Sequence, residues 1–219
     1  MICPNSIAER KHLEDNFRVS KLNNNYKVIY NGIYLKELLN VVEDEEIFRK
    51  YNLPKEYICC VGGIGPRKNQ LNLIKAANEA NINIVIIGQA SKGYEGYYNE
   101  VKASAKENII FLGQLPQIET FKIVKNSIAH IQPSFIETPG LASLEAVALG
   151  VNTIVSNNEP VKEYFSENVY YCNPYDLKSI KLSLVTAYNQ KKTENNIPFF
   201  INSYDWENVL RPLGDLFEE

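Results

Sequence analysis

The chain contains no apolar run long enough to cross a membrane and no segment built like a signal peptide. It has no basic excess: the net charge is -3, with acidic and basic residues mixed along all 219 positions. Nucleic-acid binders carry a basic patch and a high isoelectric point, so no nucleic-acid partner is expected. Cysteine is scarce. The four present, Cys3, Cys59, Cys60 and Cys172, fit neither a metal-ligand spacing nor a disulfide framework. Cys59 and Cys60 are adjacent and point to opposite faces if they lie in a strand; all four are read as small core residues. No internal repeat, Gly-x-Gly-x-x-Gly fingerprint or P-loop is present. These absences predict a reduced, soluble, cytoplasmic chain. With 45% hydrophobic residues, there is material for a sizeable core, as one large domain or one domain plus extra segments.

What is present alternates. Short apolar runs read as strands at Tyr57 to Val61, Ile84 to Ile87, Ile109 to Phe111, Ala129 to Gln132, Thr153 to Ser156 and Val169 to Cys172. Between and after them, helical spacing is found at Asn69 to Ala80, Gly96 to Ala105, Ile118 to Lys125, Leu141 to Leu149, Val161 to Phe165 and Asp176 to Asn189. Unbroken apolar strands separated by helices imply a parallel sheet covered on both faces. Right-handed crossovers then give an α/β fold, a Rossmann-like doubly wound parallel sheet. The ends fall outside this alternation. Residues 1–52 hold a helix at Ser6 to Phe17, a short strand at Lys27 to Tyr30 and a turn at Asn31-Gly32. Glu43-Asp44-Glu45-Glu46 reads as a solvated helix face, not a metal site. Residues 191–219 hold a polar loop, Lys191 to Asn196, and a final amphipathic helix, Tyr204 to Phe217, bent or interrupted at Pro212. The expected organisation is a front segment, 1–52, a core domain, 53–190, and a C-terminal helical region, 191–219.

Ligands of open parallel sheets bind beyond the carboxyl ends of the strands. Four loops lie there. Gly62-Gly63-Ile64-Gly65-Pro66-Arg67-Lys68-Asn69 follows the first core strand; its glycines allow close backbone approach, and two cations precede a helix. Gly88-Gln89 follows the second strand, and Leu112-Gly113-Gln114-Leu115-Pro116 the third. The fourth runs from Ser134 through Glu137, Thr138, Pro139, Gly140 and Leu141 to Glu145. It joins a buried strand to a helix start, and two carboxylates stand eight positions apart across it. Backbone N–H groups at a helix start hold phosphate, and carboxylates accept from sugar or ribose hydroxyls.

In this order, the Gly-x-x-x-Pro-Arg-Lys-Asn loop, the Leu-Gly turn and the Glu-x7-Glu element around Pro-Gly-Leu resemble the nucleotide-binding C-terminal domain of retaining glycosyltransferases of the two-domain B fold, family 4 type. The resemblance extends over Ile2 to Phe217. Cys3-Pro4-Asn5-Ser6 resembles a strand end and helix from the edge of the other domain; Val28 to Ile33, the linker strand; and Asp205-Trp206-Glu207, the helix that crosses back. The resemblance implies a UDP- or GDP-sugar donor, no cofactor and no metal. It assigns Lys68 to the diphosphate and Glu137 to the sugar hydroxyls beside the reacting carbon. It also gives Gly140 and Leu141 N–H groups to the diphosphate or sugar, and Glu145 to the ribose. Gly62, Gly63, Arg67 and Gly88 would line the donor site. Leu112, Gly113 and Leu115 would frame the base, and Ser134 and Thr138 would reach phosphate. Transfer would go to a glycan or lipid-linked hydroxyl acceptor. Peripheral association with the inner membrane face would follow from a lipid acceptor, although no basic amphipathic helix is encoded.

Each assignment has a plainer rival. Glu137 would cap the following helix, Glu145 would be a surface residue, and Arg67 and Lys68 a solvated pair at a tight turn. His130, in an apolar strand, reads as a satisfied core histidine; His12, as a surface residue; Tyr94 to Tyr98, as a packed or exposed loop; and Trp206, as a packing anchor. Two departures from the family pattern stand out. Gly63 occupies a position where many relatives have Arg, and the N-terminal acceptor domain is absent from this sequence. The expectation is therefore a truncated or split form that binds donor but transfers poorly alone. The alternative is a non-catalytic sugar-nucleotide module or the donor subunit of a split transferase. An NAD dehydrogenase fits less well, lacking the glycine fingerprint and the acidic residue on the second strand. An epimerase of the same two-domain fold stays open, with the Pro-Gly-Leu and Glu-x7-Glu pattern favouring a transferase.

Overall fold

The computed structural model describes residues 2–17, 26–190 and 199–214. Six strands, β1 (Ile58–Val61), β2 (Ile84–Ile87), β3 (Ile109–Gly113), β4 (Ala129–Gln132), β5 (Asn152–Ser156) and β6 (Tyr170–Cys172), form one parallel sheet in the order β3-β2-β1-β4-β5-β6. Among the described residues the helices, in chain order, are α1 (Ile7–Phe17), α2 (Leu35–Leu39), α3 (Glu46–Lys50), α4 (Gln70–Ala80), α5 (Glu95–Ala103), α6 (Gln117–Lys125), α7 (Leu141–Ala148), α8 (Val161–Phe165), α9 (Leu177–Asn189) and α10 (Trp206–Gly214). The six strands and the helices between them follow the periodicity to within a few residues.

Both sheet faces are covered, which is why the strands are apolar without alternation. One face packs Leu73, Ile74, Val101, Ile180 and Leu184 from α4, α5 and α9 onto Ile58, Cys60, Ile84 and Ile86. The other packs residues from α2, α3, α6, α7 and α8 onto Cys59, Val85 and Val155. Cys59 and Cys60 thus enter opposite cores, as their adjacency requires, and burial pushes both thiols up to about 12. Cys3 departs from the core reading: it is exposed.

The front segment does not stand apart. Ile33, Leu35, Leu38, Val41 and Ile47 belong to the same core as α7 and α8. α2 and α3 have five residues each, too few for a helical period to declare itself in sequence. Lys27 to Tyr30 is not a strand. Two backbone bonds, Lys27 N–H to Ile2 O and Ile29 N–H to Pro4 O, tie an extended stretch to the chain's start. Asn31-Gly32 is not a turn either. Gly32 is a close approach: a Cβ there would stand 2.7 Å from the Trp206 ring, which makes Trp206 the packing anchor expected. Asp44 is not a solvated helix face. It precedes α3, accepts from the Glu46 N–H at 3.0 Å and pairs with Lys122 at 2.8 Å.

α1 buries none of its residues. It is held at its N-terminus by Glu163 of α8, whose Oε1 accepts from Ile7 N–H at 2.7 Å and Oε2 from Ala8 N–H at 3.1 Å. A carboxylate there satisfies orphan donors and complements the helix dipole. The same carboxylate accepts from the Tyr30 hydroxyl at 2.7 Å. Tyr30 packs edge-on against Tyr164 and Tyr204, which stack on each other. α10 continues through Pro212 to Gly214; the polar loop at 191–196 and the helix end toward Phe217 lie outside the described residues.

Candidate functional site

The strand order reverses between β1 and β4, the seam where open α/β sheets place their ligands. The loops leaving those two strands are knitted together. Asn69, in a left-handed conformation, donates to Pro133 O at 3.0 Å and Pro174 O at 2.9 Å. The Phe135 N–H donates to Arg67 O at 2.9 Å. Gln70 clips the glycine loop, accepting from Gly65 N–H and donating to Gly63 O. From the other side, Asn158 donates to Phe135 O at 2.8 Å.

At the centre, Lys68 Nζ meets Glu137 Oε2 at 2.5 Å, with side chains only 19% and 9% exposed. Ser134, fully buried, donates its hydroxyl to the same oxygen at 2.9 Å. Glu137 therefore does not cap α7. That helix has Gly140 as its N-cap, with φ +91° and no side-chain cap; Ser143 N–H is taken by Gly140 O, and among the described residues the Leu141 and Ala142 N–H groups are left for another acceptor. Glu145 lies one turn further, on the same helix side as Leu141. It is half-buried and makes no hydrogen bond or ion pair with the described residues. Burial alone pushes its carboxyl up to about 7, so it is not a solvated surface glutamate.

A second cluster borders the first. Val61, Gly62, Gly63, Ile87, Gly88, Ser91, Leu115 and Thr120 are among the residues lining a cleft of about 460 Å³. Gly88 is dictated by geometry: its φ is +142°, and a Cβ would stand 2.0 Å from Gly62 O. It donates its N–H to Gly113 O at 2.8 Å, joining the loops after β1, β2 and β3.

The structure thus brings together Lys68, Glu137, Ser134 and Gly140 on one side, and Gly62, Gly63, Gly88, Gly113 and Leu115 on the other. Arg67 and Thr138 are exposed beside them, Arg67 joining the site through its carbonyl. The side chains of Leu112 and Leu115 both pack against the core, which leaves their backbone at the site's edge. His130 is fully buried, its ring nitrogens facing Ser143 Oγ at 3.1 Å and Cys59 Sγ at 3.8 Å; burial, with Lys68 as a lesser cause, pushes its pKa down to about 3. It is a core histidine that steadies the first turn of α7. The Tyr94 to Tyr98 stretch enters α5, where Tyr97 accepts from Leu71 N–H and Tyr98 packs on Phe111. His12 is exposed. Among the described residues no three His, Cys, Asp or Glu side chains are placed to hold a metal.

Sequence reasoning assigned no role to Gln132 or Asn158, and none to Asn69 beyond its place in the Pro-Arg-Lys-Asn motif. A polar residue closing an otherwise apolar strand was the available signal for Gln132; the tethers made by Asn69 and Asn158 are tertiary and left none.

A 3-2-1-4-5-6 parallel sheet with glycine loops and an ion pair at its seam is a Rossmann-like α/β domain of the kind that takes ligands at the strand ends. The family model described as Glycosyl transferases group 1 matches residues 43–198, and the chain belongs to that family. It is similar to the O-antigen chain mannosyltransferase RfbU of Salmonella typhimurium, 23% identical over 195 residues, covering 88% of this chain and 52% of that protein. It is also similar to the O-antigen chain mannosyltransferase B of Escherichia coli, 26% identical over 149 residues, covering 64% and 39%. The chain thus spans about half the length of RfbU and less of the other. Among solved structures, Anabaena HepE in complex with UDP and glucose matches with TM-score 0.86 at 16% identity, covering all of this chain and 63% of that one. A glycosyltransferase from Rickettsia africae matches with TM-score 0.84 at 17% identity, covering 98% and 62%. These likenesses establish the fold, a Rossmann-like α/β domain that matches part of those glycosyltransferase structures.

Proposed function

We propose that this chain holds the donor of a retaining hexosyltransferase of the family 4 type, a nucleoside diphosphate sugar carried on UDP or GDP. Residues 53–190 form the donor domain, 1–52 and 191–219 the hinge and crossover, and an N-terminal acceptor domain is the partner. The observation that carries the reading is the Lys68–Glu137 pair at the seam. A lysine there supplies charge to a departing diphosphate, and a carboxylate beside it orients the sugar hydroxyls. The first-turn N–H groups of α7 add a second anion site. Glu145, with acceptor capacity unused, suits the ribose hydroxyls, and the adjoining cleft suits the base.

Transfer of this kind depends on stabilising the leaving diphosphate next to an oxocarbenium-like sugar. Lys68, Arg67 and the α7 terminus place positive charge where a metal would otherwise be needed, so no metal or cofactor is assigned. The acceptor is a glycan or lipid-linked hydroxyl. Work on the cytoplasmic side, with peripheral membrane association, follows for a lipid acceptor. HepE was captured with UDP and glucose, and the two named relatives are mannosyltransferases, so both glucosyl and mannosyl donors belong in the test. Calorimetry with UDP, GDP, ADP and their hexose derivatives should show binding of one nucleotide series; binding of none would overturn the reading.

A further inference from the structure

Gln132 closes β4 and is 3% exposed. Its Nε2 donates to Ser134 Oγ at 3.0 Å, and the Ser134 hydroxyl donates its one O–H to Glu137 Oε2 at 2.9 Å. That direction settles the amide: Ser134 must accept from Gln132, so an N–H group faces the serine and Oε1 faces away. Gln132 Oε1 is fully buried and has no hydrogen-bond partner among the described residues. An unpaired buried amide oxygen is costly and calls for a donor. Lys68 lies across Gly62 from Oε1. The point where a Cβ would start on Gly62 lies 3.9 Å from Gln132 Oε1 and 3.9 Å from Lys68 Nζ. Gly62 has φ +143°, so that space carries no side chain of its own.

Lys68 has three N–H donors, and among the described residues Glu137 is their acceptor. As long as the ammonium sits on Glu137 Oε2, that oxygen is taken twice, by Lys68 and by Ser134. It cannot also receive sugar hydroxyls well.

We infer that Gln132 is a positioning residue with two tasks. Through Ser134 it aims the Glu137 carboxylate. Through Oε1 it receives the Lys68 ammonium when the diphosphate draws Lys68 off Glu137, which frees Glu137 Oε2 for the sugar. Lys68 keeps its proton throughout; only its acceptor changes. The inference rests on the donor reading above.

The test is the sugar increment, the ratio of Kd for the free nucleoside diphosphate to Kd for its hexose derivative, measured by calorimetry on the whole chain with UDP and UDP-glucose and with GDP and GDP-mannose. Q132L should weaken binding of the free diphosphate, which also draws Lys68 toward Oε1, and should in addition lose the increment by roughly tenfold or more, the worth of one charge-assisted hydrogen bond. Q132E keeps an acceptor oxygen for Lys68 and should recover part of the increment, although a buried carboxylate lowers its thermal stability below that of Q132L. A purely structural glutamine would show the reverse, with increment following stability. Q132M carries the same comparison if Q132L does not fold. An unchanged increment in Q132L, or a smaller one in Q132E than in Q132L, overturns the role of Gln132 and leaves the donor reading standing. A parent chain that binds no nucleotide overturns both.

Discussion

Lys68 and Glu137, 69 positions apart in the chain, meet at 2.5 Å across the seam between β1 and β4. Each lies on a loop fixed by other tethers, so the pair joins the two halves of the sheet. Breaking it from one side leaves an uncompensated, nearly buried charge. K68A should lower stability by about 3 kcal/mol in urea unfolding and abolish measurable nucleotide binding. E137Q keeps the lysine for the phosphate; it should retain affinity for the free diphosphate and lose the gain from the sugar. Equal losses for nucleotide and nucleotide sugar in E137Q would contradict the assignment of Glu137 to the sugar.

Glu145 makes ligand affinity and stability depend on pH. Its folded-state pKa, about 7, lies above the unfolded value near 4.5. The carboxyl therefore favours the fold while protonated; that contribution is full below about 4.5 and is lost as pH rises through about 7. E145Q should be more stable than the parent at pH 8 by about 2 kcal/mol, discounted for partial exposure, and equal to it at pH 4. Ribose hydroxyls donate best to the ionised form, so nucleotide affinity should rise from pH 5.5 to 8 in the parent and stay flat in E145Q. Calorimetry across that range measures the difference.

Gly88 admits no side chain. A methyl group there would overlap Gly62 O, and the residue's φ is one that L-residues rarely adopt. G88A should cost more than about 3 kcal/mol or prevent folding, whereas G96A, where a Cβ meets nothing, should be close to neutral. Chemical denaturation of the two variants side by side checks this.

Glu163 is the tether of the front segment. Replacing it with Ala removes two N-terminal bonds of α1 and the acceptor of the Tyr30 hydroxyl. E163A should cost about 2 kcal/mol. Hydrogen exchange should quicken over residues 5–17 while the amides of β1 and β4 keep their protection. Uniform loss of protection across the sheet would show that Glu163 supports the whole fold.

The sequence by itself determined the elements and the chemistry on offer. Periods of apolar residues, set by backbone geometry, mark six buried strands and the helices between them. Glycines at strand ends and carboxylates around a helix start mark loops suited to phosphate and sugar, because those residue types limit what backbone and side chain can do locally. Elements as short as α2 and α3 escaped, having less than two turns in which to show a period. Asn31-Gly32 and Lys27 to Tyr30 misled because their conformations answer to Trp206 and to residues 2–4, not to local preference. Only the tertiary structure decided which loops meet. The strand order puts the residues after β1 beside those after β4, and this makes Lys68 the partner of Glu137, not a solvated cation. Among the described residues, it leaves Glu145 half-buried without a partner and Gln132 with one amide group satisfied and one free. Such facts depend on distances between residues far apart in the chain, and local sequence carries no record of them.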